Sequence, residues 1–329
     1  MTTWTRRRLL GGASAAGAAL ALSPVAASVS SHAAAPPAGK QATGVYRLKV
    51  GSFEVTQLSD GVRSFPMPDT FVRNIPKAQA LAAFEAAYLP KNLVTIPFNP
   101  TVVNTGSKLV LIDTGYGSGG LPASGQLPDA MAAAGIDPKA IDIVLISHLH
   151  PDHVLGLKTA DGGNAFPNAE IKVHAAEWAY WMSDENMSKA PEGMMKTFFG
   201  ATRKAFAGLA DKVTKYDWDK EVAPGITSIA APGHTPGHSA FAVVSGTGRL
   251  LVQSDITNVP EPFLRNPDWH IMFDMDPQVS VQTRRKFHDM AAAERTLIAG
   301  FHFFFPSLGY VEKEGTGYRL VPVPWSSTI

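Results

Sequence analysis

The chain has 329 residues, no cysteine and a formal net charge of +1, with 45% hydrophobic and 17% charged residues. That balance excludes a polybasic nucleic-acid binder and a disulfide-stapled scaffold, and it limits any metal ligands to nitrogen and oxygen donors. The length suits one large layered domain.

From the N-terminus, Thr5-Arg6-Arg7-Arg8-Leu9-Leu10 leads into a Gly/Ala-rich apolar stretch that reaches Leu22, the order of a signal peptide. The paired arginines are similar to a twin-arginine leader. Residues 1–33 are therefore expected to be a leader read by the Tat export machinery, and the mature protein to be periplasmic or secreted. The apolar stretch is broken by glycines and Pro24 and falls short of the ~20 residues a membrane span needs, so no stable membrane association is expected after cleavage. Residues 34–44 are rich in Ala, Pro and Gly and read as a disordered tether. Residues 45–329 form the predicted domain.

Within it, residues 46–50 and 53–59 read as strands, and 101–104 with 108–113 as a hairpin. Residues 127–134, with Pro128 in the first turn and Gly135 after the end, read as a helix. The nearly continuous apolar run 141–147 has the mark of a strand covered on both faces. Further helices are predicted at 175–182, 194–209 and 279–293. Strand-rich stretches precede the helical groups in both halves, which predicts an α/β class with two sheets sandwiched between helix layers.

The run 143–146 leads directly into Ser147-His148-Leu149-His150-Pro151-Asp152-His153. Imidazole and carboxylate are the donors a borderline-soft divalent cation accepts. Alternate side chains of an extended segment point the same way, so His148 and His150 suit one ion, while Asp152 and His153, displaced by the turn at Pro151, suit a second. Downstream, His234 lies in the Gly/Pro-rich turn Ala231-Pro232-Gly233-His234-Thr235-Pro236-Gly237-His238, Asp255 closes the run 250–255, and His302 closes 297–302. His234 would complete the first set of ligands, Asp255 would bridge both ions, and His302 would close the second set. All of these stand at strand ends, where a sheet fixes ligands tightly. Asp113 ends another apolar run and is predicted to orient a metal-bound imidazole. His238 is assigned to packing or backbone bonding, since the ligand set is complete without it. The glycine-rich segment 115–120 lacks the Lys-Ser/Thr ending of a phosphate-binding loop and reads as a flexible rim.

The order His-x-His-x-Asp-His, His, Asp, His resembles the metallo-β-lactamase superfamily. The segments 53–61, 103–115, 166–169 and 317–323 are similar to the branch that contains methyl parathion hydrolase and related lactonases and esterases. The resemblance implies an αββα sandwich and two divalent ions per chain, zinc by preference, with manganese, iron or cobalt as other ions that nitrogen and oxygen sites accept. It further implies a homodimer and hydrolysis of small apolar esters, lactones or phosphotriesters through a hydroxide shared by the ions, with Asp152 or Asp255 relaying a proton to the leaving group. Phe65, Met67, Trp181, Phe198, Phe199 and Asn258 are the expected substrate-pocket residues. Bacterial lactonases of the superfamily often carry a tyrosine three residues after the bridging aspartate, where this chain has Asn258. Two alternatives stay open, a β-lactamase and an acyl-homoserine lactonase.

Overall fold

The computed structural model describes residues 38–39, 41–117 and 123–329. The leader reading of residues 1–33 lies outside them, as do residues 34–37 and 40 of the tether reading and residues 118–120 of the glycine-rich segment. Ala42–Ile329 form one unit by their contacts.

Its strands, in chain order, begin with β1 (Val45–Val50), β2 (Phe53–Leu58), β3 (Gly61–Pro66), β4 (Leu93–Phe98), β5 (Thr101–Asn104) and β6 (Leu109–Ile112). There follow β7 (Ile143–Ile146), β8 (Glu170–His174), β9 (Val213–Tyr216), β10 (Glu221–Ala223) and β11 (Ile226–Ala230). The last are β12 (Ser239–Ser245), β13 (Gly248–Ser254), β14 (Leu297–Gly300), β15 (Leu308–Glu314) and β16 (Gly317–Pro322). The helices are α1 (Lys77–Ala86), α2 (Leu127–Ala133), α3 (Pro151–Val154), α4 (Ala175–Trp181), α5 (Asp184–Lys189), α6 (Met194–Phe206), α7 (Pro260–Arg265) and α8 (Pro277–Ala293).

Two seven-stranded sheets result, in the orders β1-β2-β5-β6-β7-β8-β9 and β10-β11-β12-β13-β14-β15-β16, with β3 and β4 as a separate two-stranded ribbon. The apolar run in β7 is buried on both faces. Ile143 and Leu145 join the core between the sheets, next to Val110, Phe241 and Val252. Val144 and Ile146 point the other way, into a core with Met131, Phe199 and Phe206 from α2 and α6. On the far side, Phe287 and Ala291 of α8 and Leu264 of α7 cover the second sheet at Ala240, Leu251 and Ile298. These layers are the expected αββα sandwich.

Each sheet contains adjacent parallel strands whose C-terminal ends face the same region. β6 runs parallel to β7, pairing Ile112 with Leu145, and β13 runs parallel to β14, pairing Val252 with Ala299. Asp113 and His148 therefore leave the first sheet side by side, and Asp255 and His302 leave the second in the same manner. Open α/β sheets place their sites at such carboxyl ends. The sequence reading missed the β3–β4 ribbon and α1. It also placed the end of α6 at 209, whereas the helix stops at Phe206 and residues 210–212 form a separate 3₁₀ turn.

Candidate metal centre

The loop after β7 turns into α3 at Pro151, which takes the first helical position, where its missing N–H costs nothing. That single turn swings Asp152 and His153 away from His148 and His150. The His234 loop is shaped by two glycines. Gly233 has φ +120°, and a Cβ there would meet the Ser280 backbone nitrogen at 2.3 Å; at Gly237 a Cβ would meet the Glu177 nitrogen at 2.5 Å. Asp113 (φ 59°) and Ser254 (φ 50°) occupy the left-handed region at their strand ends. Such positions cost energy in non-glycine residues and concentrate at functional sites.

The predicted ligands converge. His148 Nε2 lies 3.0 Å from His150 Nδ1, and His234 Nε2 lies 3.0 Å from the same atom. Asp255 Oδ2 is 3.3 Å from His234 Nε2 and 2.9 Å from His302 Nε2, while Asp255 Oδ1 is 3.2 Å from His153 Nε2. Asp152 Oδ2 stands 3.6 Å from His153 Nε2 and 3.5 Å from His302 Nε2. Donors around a tetrahedral zinc at the usual bond length are about 3.4 Å apart. Three overlapping groups, His148/His150/His234, His148/His153/Asp255 and Asp152/His153/His302, each have the spacing to hold an ion. The cluster supports a dinuclear divalent-metal centre.

Hydrogen bonds on the outer side of the rings show why the inner atoms need a cation. His153 Nδ1–H donates to Asp113 Oδ2 at 2.9 Å, His234 Nδ1–H to Asp274 Oδ1 at 2.9 Å, and His302 Nδ1–H to the Pro97 carbonyl at 2.8 Å. Ser147 Oγ gives its single proton to Asp113 Oδ2 at 2.8 Å, so His148 Nδ1 is the donor in its 3.1 Å contact with Ser147 Oγ. With the outer nitrogens committed to these partners, the inner nitrogens are the atoms left to ligate. Burial opposes charge on the rings, yet Asp255 and Asp113 hold His153 well above the usual histidine range and Asp255 and Asp274 push His234 up to about 9, so without metal these rings carry a proton where a cation would stand. His153 Nε2 and Asp255 Oδ1 are buried without any hydrogen-bond partner. Donors packed this closely need protons or metal cations among them, and five imidazoles with two carboxylates at these spacings fit a metal pair.

Burial, and then the neighbouring imidazoles His153 and His234 respectively, hold His148 and His150 well below the usual histidine range, in the neutral form that ligates. Burial works against the charge of Asp255, yet His302, His153 and His148 hold its carboxyl well below the usual range.

Three supporting residues escaped the sequence reading. Asp274 takes His234 on one oxygen and the buried Arg284 on the other at 3.2 Å. Arg284 also donates to the Ile256 carbonyl at 2.8 Å, next to Asp255. Glu177, fully buried, accepts from Leu149 N–H (3.0 Å), Gly237 N–H (2.7 Å) and Trp181 Nε1–H (2.8 Å), clamping the two histidine loops together. His238 does serve the backbone: its Nδ1–H donates to the Ala231 carbonyl at 2.9 Å, and its Nε2 accepts Asp255 N–H at 3.1 Å.

Above the cluster lies a small cavity of about 40 Å³ that opens to solvent. Of the residues expected around it, Phe65, Phe198 and Asn258 line it. Met67, Trp181 and Phe199 do not. Met67 is buried beside Phe71 and Phe84; Trp181 is held by Glu177 and packs on Phe199 with ring centroids 4.7 Å apart. Tyr116, on the glycine-rich segment, does reach the cavity and packs on Phe98 at 5.6 Å. Burial and the charge of Asp152 raise its hydroxyl above the usual phenol range, so it keeps its proton.

Residues 97–302 match the family model described as the metallo-beta-lactamase superfamily. N-acyl homoserine lactonase AiiA of Bacillus thuringiensis subsp. kurstaki is 22% identical over 237 residues, covering 66% of this chain and 85% of that protein. Among solved structures, the hydrolase AbOPH of the beta lactamase superfamily superposes with a TM-score of 0.81 at 28% identity, over 88% of this chain and 100% of that one. AidC, a dizinc quorum-quenching lactonase, has the same fold, with a TM-score of 0.81 at 24% identity over 87% of this chain and 99% of its own. The family match takes in well over half of the sequence and contains every residue of the metal cluster, and the chain belongs to the metallo-β-lactamase superfamily.

Proposed function

We propose that the protein is a dinuclear metal-dependent hydrolase of small esters and lactones that carry an apolar group, with aryl phosphotriesters as further substrates. The observation that carries this reading is the convergence of five histidines and two aspartates, their inner donor atoms turned toward one another, at the floor of an aromatic-walled cavity. His148, His150 and His234 would hold one ion, Asp152, His153 and His302 the other, and Asp255 both.

When bound, such a pair supplies Lewis acidity toward a carbonyl or phosphoryl oxygen and a strong nucleophile at neutral pH. The chain's own groups set the rest. Phe65, Phe98, Phe198 and Phe273 receive the apolar part of the substrate and keep water out. Asp152 is the more exposed of the two cavity-floor carboxylates, which places it to take a proton and pass it to the leaving oxygen. Asn258 accepts its own neighbour's N–H, that of Val259, through Oδ1 at 3.1 Å, leaving its Nδ2 hydrogens for a substrate oxygen.

The acyl-homoserine lactonase reading is favoured by the activities of AiiA and AidC. The phenol that bacterial lactonases often carry three residues after the bridging aspartate is replaced by Asn258, but Tyr116 brings a protonated phenol to the same cavity from another loop. The test is a panel of 4-nitrophenyl esters, acylamino-γ-lactones, a nitrophenyl phosphotriester and a chromogenic β-lactam, assayed on zinc-reconstituted protein. Ester or lactone turnover that a chelator abolishes and zinc restores is expected. Turnover untouched by full metal removal, or confined to the β-lactam, would sink the reading.

A further inference from the structure

The β3–β4 ribbon brings one arginine to the cavity wall. Arg63 and Phe65 stand two residues apart on β3 and so share a face; the register sets Arg63 opposite Ile96 and Gly61 opposite Phe98. Arg63, Phe65, Ile96 and Phe98 all line the cavity. Arg63 is partly buried, and its guanidinium lies 5.2 Å from the centre of the Phe65 ring.

Arg63 has no anion. The first carboxylate of the sequence is Glu54 and residues 118–122 contain none, so every aspartate and glutamate is among the described residues. None of them pairs with Arg63, and among the described residues its guanidinium makes no hydrogen bond. By contrast, Arg47, Arg249, Arg284, Arg285 and Arg319 each face a carboxylate. A guanidinium without a counter-ion on an aromatic cavity wall is free to take one, and its planar fork of donors matches a carboxylate in two-point contact.

We propose that Arg63 anchors a carboxylate on the substrate, so that the enzyme prefers esters or lactones whose arm beyond the scissile bond ends in a free acid. This rests on the hydrolase reading above and names the substrate class of that same cavity. Phe65 holds the guanidinium over its ring, and the ribbon's pairing fixes the distance from the anchor to the metal cluster. A charged hydrogen bond of this kind is worth a factor of about 10 to 100 in selectivity.

Two measurements on the metal-loaded protein test it. The first compares kcat/KM for mono-4-nitrophenyl glutarate with that for its neutral methyl ester, in wild type, Arg63→Gln and Arg63→Lys. The acid-to-neutral ratio is expected to fall about 10- to 100-fold in Arg63→Gln and by less in Arg63→Lys. The second compares calorimetric binding of 3-phenylpropanoate and 3-phenylpropanamide to the same proteins and needs no turnover. If neither ester is cleaved, the hydrolase reading fails while the binding comparison still decides on Arg63. An acid preference that both substitutions leave unchanged overturns the proposal. Thermal melts accompany both variants, and should Arg63→Gln melt early, the ratio in Arg63→Lys carries the decision.

Discussion

The metal cluster and the cavity wall above it are built on opposite terms. In the cluster His148, His153, His234 and His302 each have a partner on the outer side, whether carboxylate, hydroxyl or carbonyl, and all of the candidate ligands but His234 follow the ends of paired parallel strands. The wall is made of rings that touch rings: Phe98 on Tyr116 at 5.6 Å and on Phe301 at 6.1 Å, Phe65 on Phe71 at 6.2 Å. Directional bonds tolerate little displacement, whereas apolar packing accepts swaps of similar volume. The chemistry is thus held fixed while the choice of substrate is left open to change, as expected where one fold serves many activities.

The largest effect that would break this contrast is at Asp255. It faces His148, His153, His234 and His302, so Asp255→Ala is expected to empty both sites and reduce turnover to background. His302→Ala should cost mainly one ion. Metal analysis after dialysis checks this, and equal metal loss in the two variants would show that Asp255 is not shared.

Next in size is Asp60, where the wall has a joint as well bonded as any in the cluster. Its carboxylate accepts Tyr116 N–H (2.7 Å), Leu127 N–H (2.8 Å) and Gly125 N–H (3.3 Å). Burial outweighs these donors and raises its pKa from 3.8 to about 6. The folded chain therefore holds this proton more tightly than the unfolded one. The stability it contributes is complete below about pH 4 and lost as pH rises through about 6, a difference of about 3 kcal/mol. Asp60→Asn removes that dependence. Urea midpoints of the two proteins across this window should diverge, with the variant gaining on wild type as pH rises; parallel curves would mean that Asp60 titrates normally.

The smallest pair sharpens the comparison most. Asp274→Asn is expected to weaken metal binding about 10- to 100-fold, the usual cost of losing a partner behind a ligand. Phe65→Ala, at a ring that lines the cavity and packs on Phe71 but on none of the histidines, should leave metal affinity alone and raise KM about 10-fold for apolar substrates, in line with the area its ring offers. Chelator competition and steady-state kinetics separate the two; if Phe65→Ala released metal, wall and cluster would not be independent.

The same division governs what the sequence reveals. The residues that converge in the cluster were legible because they follow the ends of apolar runs, as Asp113 does. The two-sided burial of β7 followed from its unbroken hydrophobicity. Asp274 and Glu177 were not legible, since neither ends such a run and their partners lie far along the chain, at His234 and at Leu149 and Gly237. The ribbon went unread because Pro66 and Pro97 interrupt its strand signal and α1 separates its halves. Trp181 and Phe199 show the limit for the wall: an aromatic residue that lines a cavity and one buried behind it look alike in sequence, and only the hydrogen bond from Trp181 to Glu177 fixes the former in the core.

The ligands come from both sheets and from positions as far apart as His148 and His302, so the unfolded chain can offer a cation only the short stretch 148–153. A bound pair therefore rewards the completed sandwich and almost nothing short of it. By mass action, each ion held at a thousandfold excess over its dissociation constant adds about 4 kcal/mol to the folded state. Withdrawal of the metal would then act on the folded population itself, exposing the seam between the sheets to proteases.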